Sequence, residues 1–331
     1  MKRAISLIIA AVLVLSLAGC AAEKPSEKLY CMSHEREAVW LVDANGSEKV
    51  FELPEDVLTA GICGSRLWYT EDGAALVRVD LADGTREEFE LPENSGVGYF
   101  MIAEEDAAYV SLCTVRTEEA PNYKVEVKGA IFRVGADGAE PVTGEYDWNE
   151  TLPFAVDGGS VYHAVFGWNN TNGLVRENAD GTVTEFDWPG APLICLSVDG
   201  GRVFACWRAE CRNYDAATGG NVKIETSAGP VSPEQYKAAP DEYVALNAAK
   251  AHDGWLYFWT YRNPDSSVTI TKPMLFMARR ISDGKTVEYT KCDDVGFYAF
   301  ENVVTFGEQG FVINDGYQKN EFRYFPYYSG K

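Results

Sequence analysis

The chain has 331 residues, 46% of them hydrophobic, and its 50 acidic side chains against 29 basic ones give a net charge of −21. That balance excludes a nucleic-acid partner and charge-driven adhesion to an anionic lipid surface, because both need cationic patches. Eight cysteines without a CxxC motif or a metal-spaced Cys/His cluster argue against a disulfide scaffold and against a bound metal.

In chain order, the first element is MKRAISLIIAAVLVLSLAGC. Lys2 and Arg3 precede an apolar run from Ala4 to Ala18, the pattern of an export signal over residues 1–19. The run falls short of the roughly 20 residues a spanning helix needs. The tetrad Leu17-Ala18-Gly19-Cys20 resembles the lipobox of bacterial lipoproteins. The resemblance implies an acylated Cys20 as the first mature residue and attachment to a lipid bilayer outside the cytoplasm. That bilayer would be the outer face of the cell membrane, or the outer membrane where there is one. Residues 20–27 (CAAEKPSE) are apolar-poor beyond the cysteine and read as the lipidated residue and its tether.

From residue 28 onward the chain repeats itself. Lys28–Glu55 and Arg66–Glu93 align without a gap over 28 positions with nine identities, and both end in FELPE. Each holds an aromatic-rich strand, a second strand, an Asn-Gly or Asp-Gly turn and a closing strand. Such dipeptides suit two-residue hairpins, which need positive φ at both central positions. The same turns recur at Asp137-Gly138, Asp180-Gly181 and Asp283-Gly284, with Gly219-Gly220 and Ser329-Gly330 in equivalent places. EYDW at Glu145–Trp148 and EFDWP at Glu185–Pro189 echo the closing strand. Lead-in strands ending in a Gly turn precede the aromatic strands, as in TAGICGSRLWYT and CLSVDGGRVFACW. The unit is therefore four strands, a to d. Strand b begins near Leu29, Leu67, Ala107, Val161, Val203, Leu256 and Phe311.

Tandem four-stranded units of about 40–50 residues are the signature of propeller blades. The expected fold is all-β, a β-propeller over residues 28–331, with seven blades of mostly four antiparallel strands (six or eight being the alternatives). The units resemble the YWTD repeat of low-density-lipoprotein-receptor-type propellers, with LWYTED at Leu67–Asp72 in the namesake place, and related propeller domains of secreted bacterial lipoproteins. The first unit lacks strand a and the last stops at its c–d turn, so the terminal strands are expected to complete each other's blades.

In such a fold the a–b and c–d turns share one face, and the b–c and d–a connections share the other. The c–d turns are nearly all tight, and the a–b turns are short Gly turns. The long segments Arg116–Val127, Ser227–Glu242 and Arg262–Lys272 are of the second, with one helical turn expected at Ser232–Ala239. Long loops on a rigid scaffold carry function. Trp148, Trp168, Trp188 and Trp207 project towards that face, flanked by Asp147, Asn149, Asn169, Asn170, Asp187 and Arg208. Flat rings beside amide and charged groups suit a sugar ring or a peptide side chain. The competing reading is that these indoles pack between blades, as Trp68, Trp255 and Trp259 within b strands are expected to do.

No GxSxG, P-loop or HExxH motif is present, and His34, His163 and His252 fall in different units. RENADGTVTEFD at Arg176–Asp187 has a cation where a calcium loop needs its first ligand. No catalytic residue, cofactor or metal is assigned. The expected function is that of a lipid-anchored binding or scaffold module for an envelope protein or glycan. The alternative is a polysaccharide hydrolase or lyase using carboxylates in the propeller channel. Cys206 and Cys211, flanking a hairpin in CWRAEC, are the one pair placed to form a bridge.

Overall fold

The structure is a computed structural model that describes residues 27–33, 36–71, 75–93, 95–119, 124–148, 153–167, 170–190, 193, 195–207, 210–226, 228–239, 246, 249–261, 274–292, 304–314 and 321–328. Cys20, His34, Asn149, Trp168, Asn169, Arg208, Arg262–Lys272 and Ser329-Gly330 lie outside the described residues.

Seven antiparallel sheets follow one another along the chain as the seven blades of a β-propeller. Blade 1 is β1 (Leu29–Met32), β2 (Ala38–Asp43) and β3 (Gly46–Glu52). Blade 2 is β4 (Ala60–Cys63), β5 (Arg66–Glu71), β6 (Ala75–Asp80) and β7 (Arg86–Glu90). Blade 3 is β8 (Gly96–Ala103), β9 (Ala107–Glu119), β10 (Lys124–Gly135), β11 (Gly138–Pro141) and β12 (Tyr146–Asp147). Blade 4 is β13 (Phe154–Asp157), β14 (Ser160–Gly167), β15 (Asn170–Glu177) and β16 (Val183–Phe186). Blade 5 is β17 (Cys195–Asp199), β18 (Arg202–Trp207), β19 (Glu210–Asp215) and β20 (Asn221–Glu225). Blade 6 is β21 (Ala249–His252), β22 (Trp255–Tyr261), β23 (Met274–Arg280) and β24 (Thr286–Cys292). Blade 7 is β25 (Val304–Phe306), β26 (Gly310–Asn314) and β27 (Phe322–Pro326).

The strand-b residues are the most apolar and the most buried. Leu67-Trp68-Tyr69 and Val203-Phe204-Ala205-Cys206 are all buried, whereas the closing strand β3 is exposed along nearly its whole length. Apolar side chains on both faces of strand b face the two neighbouring blades, so the core lies in the gaps between sheets. One cluster joins blades 1 and 2 around Leu67 and Tyr69, and another joins blades 2 and 3 around Trp68 and Val110. Blades 6 and 7 meet over Tyr257, Phe276 and Phe311. Each large side chain buried this way is worth about 1.5–3 kcal/mol. Trp68 and Trp259 are core as expected, while Trp255 is half-buried under the Arg280 guanidinium at 5.1 Å. The lead-in strands β4, β8, β13, β17 and β21 pack against one another in that order around the axis.

Three expectations need correction. First, the terminal strands do not complete each other's blades: among the described residues, blades 1 and 7 remain separate three-stranded sheets. β1 instead packs against β4 on one side and β25 on the other, and β27 packs against β2 and β3. Second, Arg116–Val127 is not a loop at its base. β9 and β10 stay paired out to Glu119 and Lys124, forming a two-stranded ribbon. Val125 and Val127 alternate with Lys124, Glu126 and Lys128, the period-2 pattern that sustains pairing. The closing strand of blade 3 is also broken, since β11 and β12 both pair with β10.

Third, the turns are not all two-residue hairpins. The register Asp43↔Gly46 and Gly135↔Gly138 gives two-residue turns in blades 1 and 3. They centre on Ala44-Asn45 and Ala136-Asp137, none of which has positive φ, and the glycine of each expected pair already belongs to the next strand. In blades 2, 5 and 6 the turn is longer, and Gly84, Gly219 and Gly284 donate to the carbonyls of Asp80, Asp215 and Arg280. Those glycines have φ of 80°, 72° and 73°, a left-handed conformation that glycine adopts without cost. Aspartate side chains cap these turns: Asp80, Asp83, Asp215 and Asp283 accept main-chain N–H groups.

The expected helical turn is present as α1 (Pro233–Ala238), with Ser232 as N-cap and a reciprocal capping box with Gln235. It lies in the d–a connection after β20. The β9–β10 ribbon is a b–c connection, so both elaborations belong to the same face.

Candidate functional site

On the long-connection face, the structure brings Trp188 and Trp207 together. Trp207 is the last residue of β18, and Trp188 follows β16 in the adjacent blade. Their rings meet edge to face, with centroids 4.9 Å apart and planes at 73°, the arrangement the indole quadrupole favours. The local sequence Asp187-Trp188-Pro189-Gly190 explains the placement. Trp188 N–H bonds Phe186 O at 2.7 Å, ending the strand in a tight turn. Pro189 then holds Trp188 out of helical geometry. Both indoles are half-buried.

Arg212 completes the group. Its guanidinium carbon stands 5.1 Å over the Trp207 ring, a cation–π contact. Arg212 Nε donates to Glu210 Oε1 at 2.5 Å and Nη1 to the Asp187 carbonyl at 3.3 Å. Partial burial opposes the arginine charge, but Glu210 outweighs it and the pKa of Arg212 lies above its ordinary value. Tyr214 Oη donates to the same Asp187 carbonyl at 3.0 Å, and burial raises its phenol well above the usual range. The result is a two-indole platform with a fixed cation and carboxylate, bridging blades 4 and 5. Arg212 and Glu210 escaped the sequence reading. Their signal was the alternation Glu210-Cys211-Arg212, which puts both charges on one side of β19 opposite Trp207.

Trp148 belongs to a different junction. Gly129 makes room for it, since a Cβ there would lie 2.2 Å from the indole Cδ1. Trp148 Nε1 donates to Ser111 Oγ at 2.9 Å, and Ser111 Oγ shares a 2.9 Å hydrogen bond with Tyr146 Oη. The Tyr146 ring lies 5.0 Å from that of His163, whose Nε2 is 2.9 Å from Glu177 Oε1. Glu177 Oε2 accepts Gly144 N–H at 2.8 Å. This chain stitches blade 3 to blade 4. His163 is itself buried, with 1% exposure. Asp147 is exposed and paired with Lys128. Asn170 opens β15, where only its backbone is described.

The cysteines form a file across blade 5. Cys206 faces Cys195 on one side and Cys211 on the other, and all three are buried. Among the described residues, no group of three or more His, Cys, Asp or Glu is arranged to hold a metal ion, and no helix is long and apolar enough to cross a membrane.

No family model matches the chain, and no curated protein matches it either. Solved structures do. The computationally designed Ika8 protein superposes with a TM-score of 0.54 at 8% identity, over 92% of this chain and 94% of that one. The RRP9 WD40 repeats give 0.54 at 8% identity, over 90% and 93%. A chain of the mitotic checkpoint complex gives 0.52 at 11% identity, over 93% of each. At such identities the likeness shows the propeller fold alone, and the resemblance to the YWTD repeat rests on sequence motifs.

Proposed function

We propose that this protein is a binding module, held outside the cytoplasm by an acylated Cys20, whose long-connection face receives a glycan or peptide ligand. The observation that carries the reading is the Trp188–Trp207 pair, with the Arg212 guanidinium over the Trp207 ring. Paired half-exposed rings offer apolar stacking area at low entropic cost, and fixed polar groups beside them orient a ligand. The propeller gives that pair a rigid base, because Tyr214 and Phe186 beside it are buried. The mature chain's acidity supports a neutral or cationic ligand over a polyanion.

The test is binding of the full chain to a glycan array and to membrane-fraction proteins, compared with the Trp188→Ala/Trp207→Ala double variant. Loss of the wild-type ligand at unchanged Tm supports the reading. Retention of every wild-type ligand by the double variant sinks it.

A further inference from the structure

The exit point of the N-terminal segment bears on how the propeller is presented. Glu27 lies at the start of the described chain, against the turn between β25 and β26. Its carboxylate accepts the main-chain N–H groups of Glu308 and Gln309 and the Tyr324 hydroxyl. Leu29 follows at once in β1, whose strand partner and neighbours are fixed. The Gly307–Gln309 turn is an a–b turn, so Glu27 sits on the short-turn face, opposite the face bearing Trp188, Trp207 and α1.

Cys20 is seven residues before Glu27. Fully extended, that segment spans at most about 25 Å. A lipid at Cys20 therefore holds the short-turn face close to the bilayer. Exposed aspartates on that face, among them Asp83, Asp137, Asp157, Asp180 and Asp253, repel anionic headgroups. Over a Debye length of about 8 Å in physiological salt, that repulsion dies out within the tether's reach. It sets a gap and does not turn the molecule over.

We propose that the short-turn face of the propeller is apposed to the membrane surface and that the Trp188–Trp207 face points away from it. The proposal rests on the reading of Cys20 as the lipidated residue. It makes the long-connection face available to partners beyond the bilayer surface.

The experiment uses the full lipidated chain reconstituted in phosphatidylcholine vesicles carrying a headgroup-linked acceptor dye. A donor dye is placed bioorthogonally at Asp137, on the short-turn face, or at Lys237 of α1, on the opposite face. Strong energy transfer from position 137 and its loss at 237 is the expected result. A Gly/Ser insert of about 30 residues after Ser26, spanning about 30 Å on average, should erase the difference. Equal transfer from both positions without the insert, or stronger transfer from 237, overturns the orientation while leaving the anchor standing. Vesicle flotation unaffected by Cys20→Ala, or a wild-type chain without acyl mass, overturns the anchor and the orientation with it.

Discussion

Glu27 Oε2 accepts the main-chain N–H of Gln309 at 2.9 Å across 282 residues of sequence. Propellers must join their first and last blades, and a sheet shared between the two ends removes an exposed edge. Here the seam uses side chains. Beside the Glu27 contacts, Trp40 packs on Phe322 at 5.6 Å, and Cys31, Val42 and Val312 form a small cluster beneath.

Removing the Glu27 carboxylate should therefore weaken the seam more than any ordinary surface acid would. Hydrogen bonds to a charged acceptor are each worth about 1.5–3 kcal/mol, less where solvent screens them. For Glu27→Ala we expect a loss of about 2 kcal/mol and a Tm lowered by several degrees, with Glu27→Gln intermediate. The control is Glu55→Ala, at an exposed position of the FELPE segment. Calorimetry showing the same Tm for Glu27→Ala and the control would refute the seam.

A true ion pair lies deeper. Arg279 Nη1 meets Glu225 Oε2 at 3.1 Å between blades 5 and 6, with both side chains under 5% exposed. Asn213 Nδ2 donates to the other Glu225 oxygen at 3.0 Å, and Arg279 Nη2 donates to Thr226 O at 2.7 Å. Burial pulls the arginine pKa below its ordinary value, with Glu225 resisting. Arg279→Met alone should cost about 3–5 kcal/mol, because it leaves a buried carboxylate unpaired. The double change Arg279→Met/Glu225→Met should recover most of that loss. Urea unfolding of the single and double variants measures it, and additive losses would refute the coupling.

The blade grammar was legible because strand-b residues serve both faces of every sheet. That constraint leaves LWYT-like runs and Gly turns wherever a blade recurs. Aspects set by one contact were not legible. Glu27 looks like any tether residue in EKPSEKL, and only the ring brings Gly307–Gln309 to it. Trp148 and Trp188 end equivalent closing strands in EYDW and EFDW, yet take different roles. Gly129 opens a seat for the first, while Pro189 and Arg212 place the second against Trp207. The ribbon at Arg116–Val127 was hidden because Glu, Thr and Lys read as loop composition, though the backbones of β9 and β10 stay paired there.

Cys206 and Cys211 have the register of a bridge, but their burial argues that they stay reduced. Desolvation pushes the Cys206 thiol well above its ordinary value and raises that of Cys211. Burial also raises Cys31, to about 12. Thiolate is the reactive form, so all three should resist a maleimide at neutral pH in the folded chain and react after unfolding. Peptide mapping of native and denatured labelling distinguishes this from a 206–211 disulfide, which would block labelling in both states until reduction.

Glu177 gives the fold a specific acid sensitivity. The hydrogen bond from His163 holds its carboxyl below the ordinary value of 4.5, against the opposing effect of burial, and the Gly144 N–H adds to the lowering. A carboxylate depressed in the folded state contributes stability that is fully present above its unfolded value. That contribution is lost as pH falls through the lower folded value. Because the group is only partly buried, we expect about 1 kcal/mol from it, after allowing for solvent screening. Urea unfolding at pH 7 should show Glu177→Gln less stable than the wild type. The two curves should converge as pH drops below the ordinary carboxylate range, where the wild-type side chain is also neutral. A stability difference between them that stays constant from pH 7 to strong acid would mean that Glu177 acts through shape alone. In that case the Trp148–Ser111–Tyr146–His163 chain would owe nothing to the charge at its end.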